Sequence, residues 1–179
     1  MRTEVEIYWK PPPPEWVTLN SDNSIHTDSS HASVGGLIRD HTGRCLAAYA
    51  INLGSCSITR AELRGAIEGL QLAWDTGHRR ARVELDYLCA VQLLQSLDAL
   101  DHQQTDIIQR FRELLTRQWE FVVSHVFGEG NKCVDHLASH GHLLPLGYHS
   151  MSCSDPALLN YIMYDCQGIS EPRLILNEG

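Results

Sequence analysis

The sequence predicts a mixed α/β domain, in which five strands form one sheet and helices pack on its faces. Three observations point there. The first third of the chain carries three strand-like runs joined by short polar connections. The remainder alternates helical periodicity with runs rich in β-branched residues. No segment reaches the roughly 18 consecutive apolar residues of a membrane span. An antiparallel meander of three strands, followed by helix, strand, helices, strand and helix, closes as a mixed sheet.

The elements follow in order. Residues 1–15 contain "KPPPPE", a polyproline stretch without backbone donors, and are expected to be a proline-rich leader or linker. In "WVTLNSD", Val17 and Leu19 alternate with Thr18 and Asn20, giving a first strand that ends at Asp22. After the polar "NSIHTDSSHAS", the runs "VGGLIRD" and "RCLAAYAINL" meet across "DHTG" as an antiparallel hairpin. In "SITRAELRGAIEGLQLAWDTGH" the residues Leu63, Ala66, Ile67, Leu70, Ala73 and Trp74 recur at helical steps, and the helix stops near Gly77. "ARVELD" is a strand ending at Asp86, "YLCAVQLLQSL" a helix, "DALDHQQTD" an acidic spacer at 98–106, and "IIQRFRELLTR" a further helix. "WEFVVSHV" is β-rich, and "FGEGN" is expected to be a mobile connection because of Gly128 and Gly130. It leads into the helix "NKCVDHLASHGHLL", so the domain spans 16–143 and residues 144–179 form a loosely packed tail.

Composition narrows the function. A chain of 179 residues with 43% hydrophobic and 20% charged residues is an ordinary globular domain. The N-terminus has no apolar run of a secretory signal, so an intracellular protein, nuclear or cytoplasmic, is expected. The six cysteines contain no C-x-x-C pair and are expected to be reduced and mostly buried. A formal charge of −8 argues against broad electrostatic attachment to nucleic acid, although it leaves a local site open. Lys10 and Lys132 are the only lysines, so the positive charge is nearly all arginine, the side chain suited to bidentate phosphate contacts.

Four acids stand at the ends of elements: Asp22 and Asp86 after strands, Glu62 and Asp135 in the first turns of helices. Singly, each is explained as a turn residue, a cap or a partner of the helix dipole. Jointly they fall where an α/β sheet gathers its ligands. Two carboxylates about 5 Å apart repel by about 3 kcal/mol at an effective dielectric near 20. A cluster therefore needs raised pKa values or bound hard cations, of which Mg²⁺ and Mn²⁺ are the oxygen-seeking examples.

The ordered set "LNSDNS", "TRAELRGAIEGLQLA", "VELD" and "VSHVFGEGNKCVDHLA" resembles the type 1 ribonuclease H domain, more closely the plant form related to retroelement reverse transcriptases. The resemblance runs from about residue 9 to 142. It implies a ribonuclease H-like fold and an endonuclease that hydrolyses the RNA strand of RNA/DNA hybrids with two Mg²⁺ or Mn²⁺ ions. It further implies that Asp22 bridges both ions, Glu62 and Asp86 hold one and Asp135 the other, with Glu62 also near the ribose 2′-hydroxyl. His125 takes the place of a mobile histidine that assists proton transfer or product release. Asn20, Asn23, Asn131 and Arg60 are candidate substrate contacts, the partner is an RNA/DNA hybrid rather than a membrane, and a monomer is expected.

The chain departs from that family's usual pattern at Asn23, where Gly is common and a turn with positive φ is expected, and at Tyr87, where Ser is common. The acidic spacer replaces a basic substrate-handling segment, leaving Arg60, Arg64, Arg79 and Arg80 to meet phosphates with weak, salt-dependent affinity. A second reading is therefore a catalytically weak or inactive domesticated domain that binds nucleic acid or a protein partner. A zinc site of Cys133, His136 and His140 is the third reading. With ten histidines in the chain such spacings arise by chance, and no paired ligand set accompanies it.

Overall fold

The computed structural model describes residues 2–96 and 105–176. In chain order these form β1 (Arg2–Ile7), β2 (Val17–His26), β3 (His31–Arg39), β4 (Cys45–Ser55), α1 (Ile58–Asp75), β5 (Arg80–Leu85), α2 (Leu88–Gln95), α3 (Thr105–Leu115), β6 (Glu120–His125), α4 (Lys132–Gly141), β7 (Gly147–Met151), α5 (Pro156–Cys166) and β8 (Glu171–Leu176). The acidic spacer at 98–106 lies outside the described residues except for positions 105 and 106.

The main sheet has the order β6-β5-β2-β3-β4-β7. The β2–β3, β3–β4 and β4–β7 pairs are antiparallel, whereas β2–β5 and β5–β6 are parallel. The mixed α/β architecture is thus the expected one, with a sixth strand added at the edge. Alternation along the strands divides the core. Val34 and Ile38 face the cluster containing Leu63, Ile67 and Leu70 of α1 and Ile108 and Phe111 of α3. Leu37 faces the cluster of Val134 and Leu137 of α4 and Leu158 and Ile162 of α5.

Glycines let both helix layers approach the central strands closely. A Cβ on Gly65 of α1 would stand 2.3 Å from Ser21 Oγ of β2. A Cβ on Gly35 of β3 would stand 2.4 Å from the Ala138 backbone nitrogen of α4. Each contact pins a helix that carries one of the four acids next to the strand that carries Asp22.

Four expectations are corrected. β2 does not end at Asp22: its polar half, through His26, remains paired with β3 as an antiparallel ribbon. Apolar alternation cannot detect such a stretch, because backbone hydrogen bonds hold it and little of it is buried. The leader is not a linker, because β1 pairs with β8 and Trp9 is buried. The segment after Pro145 is not a loose tail, because β7 joins the main sheet and Leu158 and Ile162 of α5 are buried. Finally, Cys45 and Cys153 form a disulfide, since β7 runs beside β4 and its exit returns to the start of that strand; of the others, Cys89 and Cys166 are exposed and Cys133 is buried.

One buried residue unites these additions. Arg39 is 1% exposed; its Nη1 donates to Asp165 Oδ2 of α5 at 2.6 Å and its Nη2 to Asn20 Oδ1 at 2.9 Å. Its guanidinium also lies 3.8 Å from the centroid of the Trp9 ring. A buried charge is tolerated only with such pairing.

Candidate active site

Asp22 occupies the point on β2 where pairing changes. The parallel partner β5 ends opposite Ser21, at Leu85, while β3 continues opposite Asp22 at Gly35. The residue after Leu85 is Asp86, so two parallel strands present two carboxylates side by side at one end of the sheet. Glu62, fully buried, begins the inward stripe of α1 that continues through Gly65, Ala66 and Gly69. One oxygen from each of Asp22, Glu62 and Asp86 falls within 4.8 Å of the others. Asp135, exposed on the first turn of α4, stands outside this trio, yet its charge acts on both Asp22 and Asp86.

Electrostatics record the crowding. Burial, then the charges of Asp86 and Glu62, push the Asp22 carboxyl up to about 8, against a hydrogen bond from the Asn23 backbone N–H. Burial likewise pushes Glu62 up to about 7, with Asp86 adding to the rise and the Asn23 side chain opposing it. Asp86 is also raised, by burial first and by Asp135, with His125 opposing. Burial and the neighbouring charges thus hold all three carboxyls towards their protonated form.

The nearby residues divide by role. Asn23 is not in a turn of positive φ; it pairs with Val34 inside β2. Its backbone N–H donates to Asp22 Oδ1 at 2.7 Å, and its side-chain Nδ2 donates to Glu62 Oε1. It therefore orients two acids rather than straining the strand. Tyr87 does not crowd the acids: it packs against the core beside α1, with its hydroxyl 3.4 Å from Thr59 Oγ1. Asn131 Nδ2 donates to the Ser21 carbonyl at 3.3 Å, and its buried Oδ1 has no partner among the described residues. His125, exposed at the end of β6, places Nε2 3.1 Å from the Asp86 carbonyl oxygen. A Cβ on Gly128 would lie 3.2 Å from Asp86 Oδ2, so the turn after His125 passes directly against that carboxylate.

Two candidate substrate contacts are committed elsewhere. Asn20 is buried between Arg39 and Glu84, donating to Glu84 Oε2 at 2.8 Å. Its side chain serves the core. Arg60 makes a two-pronged contact with Asp106 at 3.1 and 2.7 Å. Arg64 pairs with Glu68 at 2.8 Å, Arg80 pairs with Glu15 at 2.6 Å, and Arg79 lies over the Trp74 ring at 3.7 Å. The zinc reading finds no support: Cys133 is buried and donates to Asp165 Oδ2 at 3.2 Å, whereas His136 faces Asp155. Arg39 was missed by sequence reasoning, and its only signal is a charge at an inward position of a strand.

The acid trio fits hard divalent cations. All its donors are carboxylate oxygens, and Glu62 Oε2 is buried with no hydrogen-bond partner among the described residues, an acceptor that a proton or a hard cation would satisfy.

Similarity to known proteins was found at three levels. The family described as reverse transcriptase-like matches residues 20–141. A protein of Arabidopsis thaliana, provisionally named a ribonuclease H protein, is 31% identical over 174 residues, covering 97% of this chain; the chain spans 28% of that relative's length. Ribonuclease H1 of the archaeon Halobacterium salinarum superposes with a TM-score of 0.61 at 25% identity, over 70% of this chain and 96% of its own. LC11 ribonuclease H1, isolated from compost and solved with an RNA/DNA hybrid, gives a TM-score of 0.61 at 18% identity, over 68% of this chain and 92% of its own.

Proposed function

The chain belongs to the reverse transcriptase-like family of ribonuclease H-fold domains, and on that premise we propose that it is an endonuclease cutting the RNA strand of RNA/DNA hybrids. The observation that carries this reading is the meeting of Asp22, Glu62 and Asp86 from three separate elements within 4.8 Å. Two divalent ions, Mg²⁺ or Mn²⁺, supply when bound an acidified water and positive charge for the leaving 3′ oxygen.

The protein's own residues do the rest. Asp22, at the centre of the group, would contribute to holding both ions, Glu62 and Asp86 would hold one, and Asp135 would hold the other. Three of these side chains ride on packed elements, so their positions cost little reorganisation when substrate arrives. Glu62 also offers an acceptor to a ribose 2′-hydroxyl, the group a DNA strand lacks. His125 is exposed beside Asp86, where an imidazole exchanges a proton with the departing product. All four acids come from one chain, which supports action as a monomer.

A second reading is favoured by the arginines. Arg60, Arg64 and Arg80, offered by the sequence as phosphate contacts, are already in ion pairs, and the net charge is −8. That pattern suits a domesticated domain that binds nucleic acid or a protein partner and cuts weakly. Strand-specific labelling separates the two. With the RNA strand or the DNA strand of one hybrid labelled in turn, in Mg²⁺, the proposal expects fragments from RNA only. Cutting of both strands, or of neither in Mg²⁺ and Mn²⁺, contradicts it.

A further inference from the structure

The connection from His125 to Asp135, whose two glycines suggest a mobile loop, is held by the two ends of the chain. Its middle, Gly128–Gly130, is a single 3-10 turn. Arg173 of β8 reaches Glu129 in that turn with Nη1 2.7 and 2.9 Å from the two carboxylate oxygens. The same guanidinium lies 4.5 Å from the centroid of the Phe127 ring. Phe127 in turn meets the His125 ring edge to face, at 5.3 Å and 87°. At the far end of the connection Lys132, which opens α4, pairs with Glu171 of β8 and lies over the Tyr164 ring at 4.8 Å. β1 backs the arrangement: it pairs along β8 from Arg2↔Leu176 to Ile7↔Glu171, and Ile7 lines the Gly130 side of the turn.

We propose that the β1–β8 ribbon is a clamp on this connection, and that Arg173 is a positioning residue that acts through Phe127 and Glu129 to hold His125 at Asp86. The physical logic is additive. One partly exposed ion pair contributes little, but the Arg173 contact from one nitrogen to both Glu129 oxygens, its cation–π contact with Phe127 and the Lys132–Glu171 ion pair all join β8 to the connection between β6 and α4. The aromatic ring between Arg173 and His125 makes the coupling directional: without the guanidinium, Phe127 loses its outer cover and the His125 ring loses the wall it rests on. The leader also takes part, since residues 8–10 close a cleft of about 220 Å³ against His125, Val126 and Phe127.

The kinetic part of this inference rests on the proposed hydrolysis, whereas its structural part does not, so the two are tested separately. In metal-free protein labelled with ¹⁵N-histidine, Arg173→Ala is expected to shift and broaden the His125 ring signals while those of His149, remote on β7, stay in place. Unmoved His125 signals overturn the clamp whether or not the protein cuts hybrids. In the hybrid assay, Arg173→Ala is expected to lower kcat about tenfold with KM and Tm nearly unchanged, because a misplaced proton-transfer group slows turnover without weakening binding. Arg173→Lys, which keeps the charge near Phe127, should recover part of the loss. A wild-type protein that fails to cut removes the functional reading alone. A wild-type protein that cuts with the same kcat as Arg173→Ala removes the clamp's catalytic role.

Discussion

At the scale of single residues, Asp22 is held where a carboxylate is least comfortable, and that discomfort is measurable. Its pKa is raised to about 8 by burial and by its acid neighbours, while in the unfolded chain it titrates near 3.8. Between those two values the folded metal-free protein keeps a proton that the unfolded chain releases. The raised group therefore favours folding fully below about pH 4, and this contribution is lost as pH rises through about 8. Glu62, raised to about 7, adds to the same trend. Asp22→Asn removes the titrating group, so the metal-free variant is expected to melt higher than wild type by about 5 °C at pH 8, with the gap shrinking towards pH 4. Added Mg²⁺ should raise the wild-type Tm at pH 8 far more than that of the variant. Melting curves across pH, with and without Mg²⁺, check both. Asp86, Asp135 and His125 were legible in the sequence because each stands next to an element end, and Asp22 because the apolar alternation of β2 stops there, although the strand itself runs on to His26. The role of Asn23 was not, since its amide reaches Glu62 across 39 positions of sequence.

At the scale of elements, the site depends on how closely two helices approach the central strands. α1 brings Glu62 to β2 because Gly65 lets its backbone settle against Ser21, and α4 brings Asp135 to the same end because Gly35 leaves room for Ala138. Gly35→Ala places a methyl group 2.4 Å from a backbone nitrogen, which no side-chain rotation relieves. The variant is expected to lose about 1–3 kcal/mol of stability, with α4 shifted outward. Its cleavage rate should fall even at temperatures where it remains folded. Denaturant unfolding, with activity measured well below the transition, tests this. Helical periodicity made α1 readable directly, whereas the polar half of β2 was hidden because paired backbone, not buried side chains, defines it.

At the scale of the whole molecule, the chain ends are structural parts of the domain. Arg39, buried among Trp9, Asn20 and Asp165, joins the leader, the sheet and α5. Arg39→Ala leaves Asp165 buried without its partner and is expected to cost about 3–5 kcal/mol, lowering the Tm by about 10 °C. Removing residues 144–179 uncovers the side of Leu37 and Ala48 that Leu158 and Ile162 now cover, and the truncated chain should aggregate. The five strands β2 to β6 and their sequence along the chain were legible because each strand or its connecting helix has its own periodicity. The integration of the ends was not, because short, partly exposed strands and a single buried arginine leave no periodic mark. Asp22, Glu62 and Asp86 are proposed to form one cation-dependent hydrolytic centre. That proposal is tested most directly by the rate at which wild type and Asp22→Asn cut the RNA strand of a labelled RNA/DNA hybrid in Mg²⁺. Wild type is expected to cleave steadily and the variant to lose at least about a hundredfold in rate. Equal rates in the two proteins would contradict it.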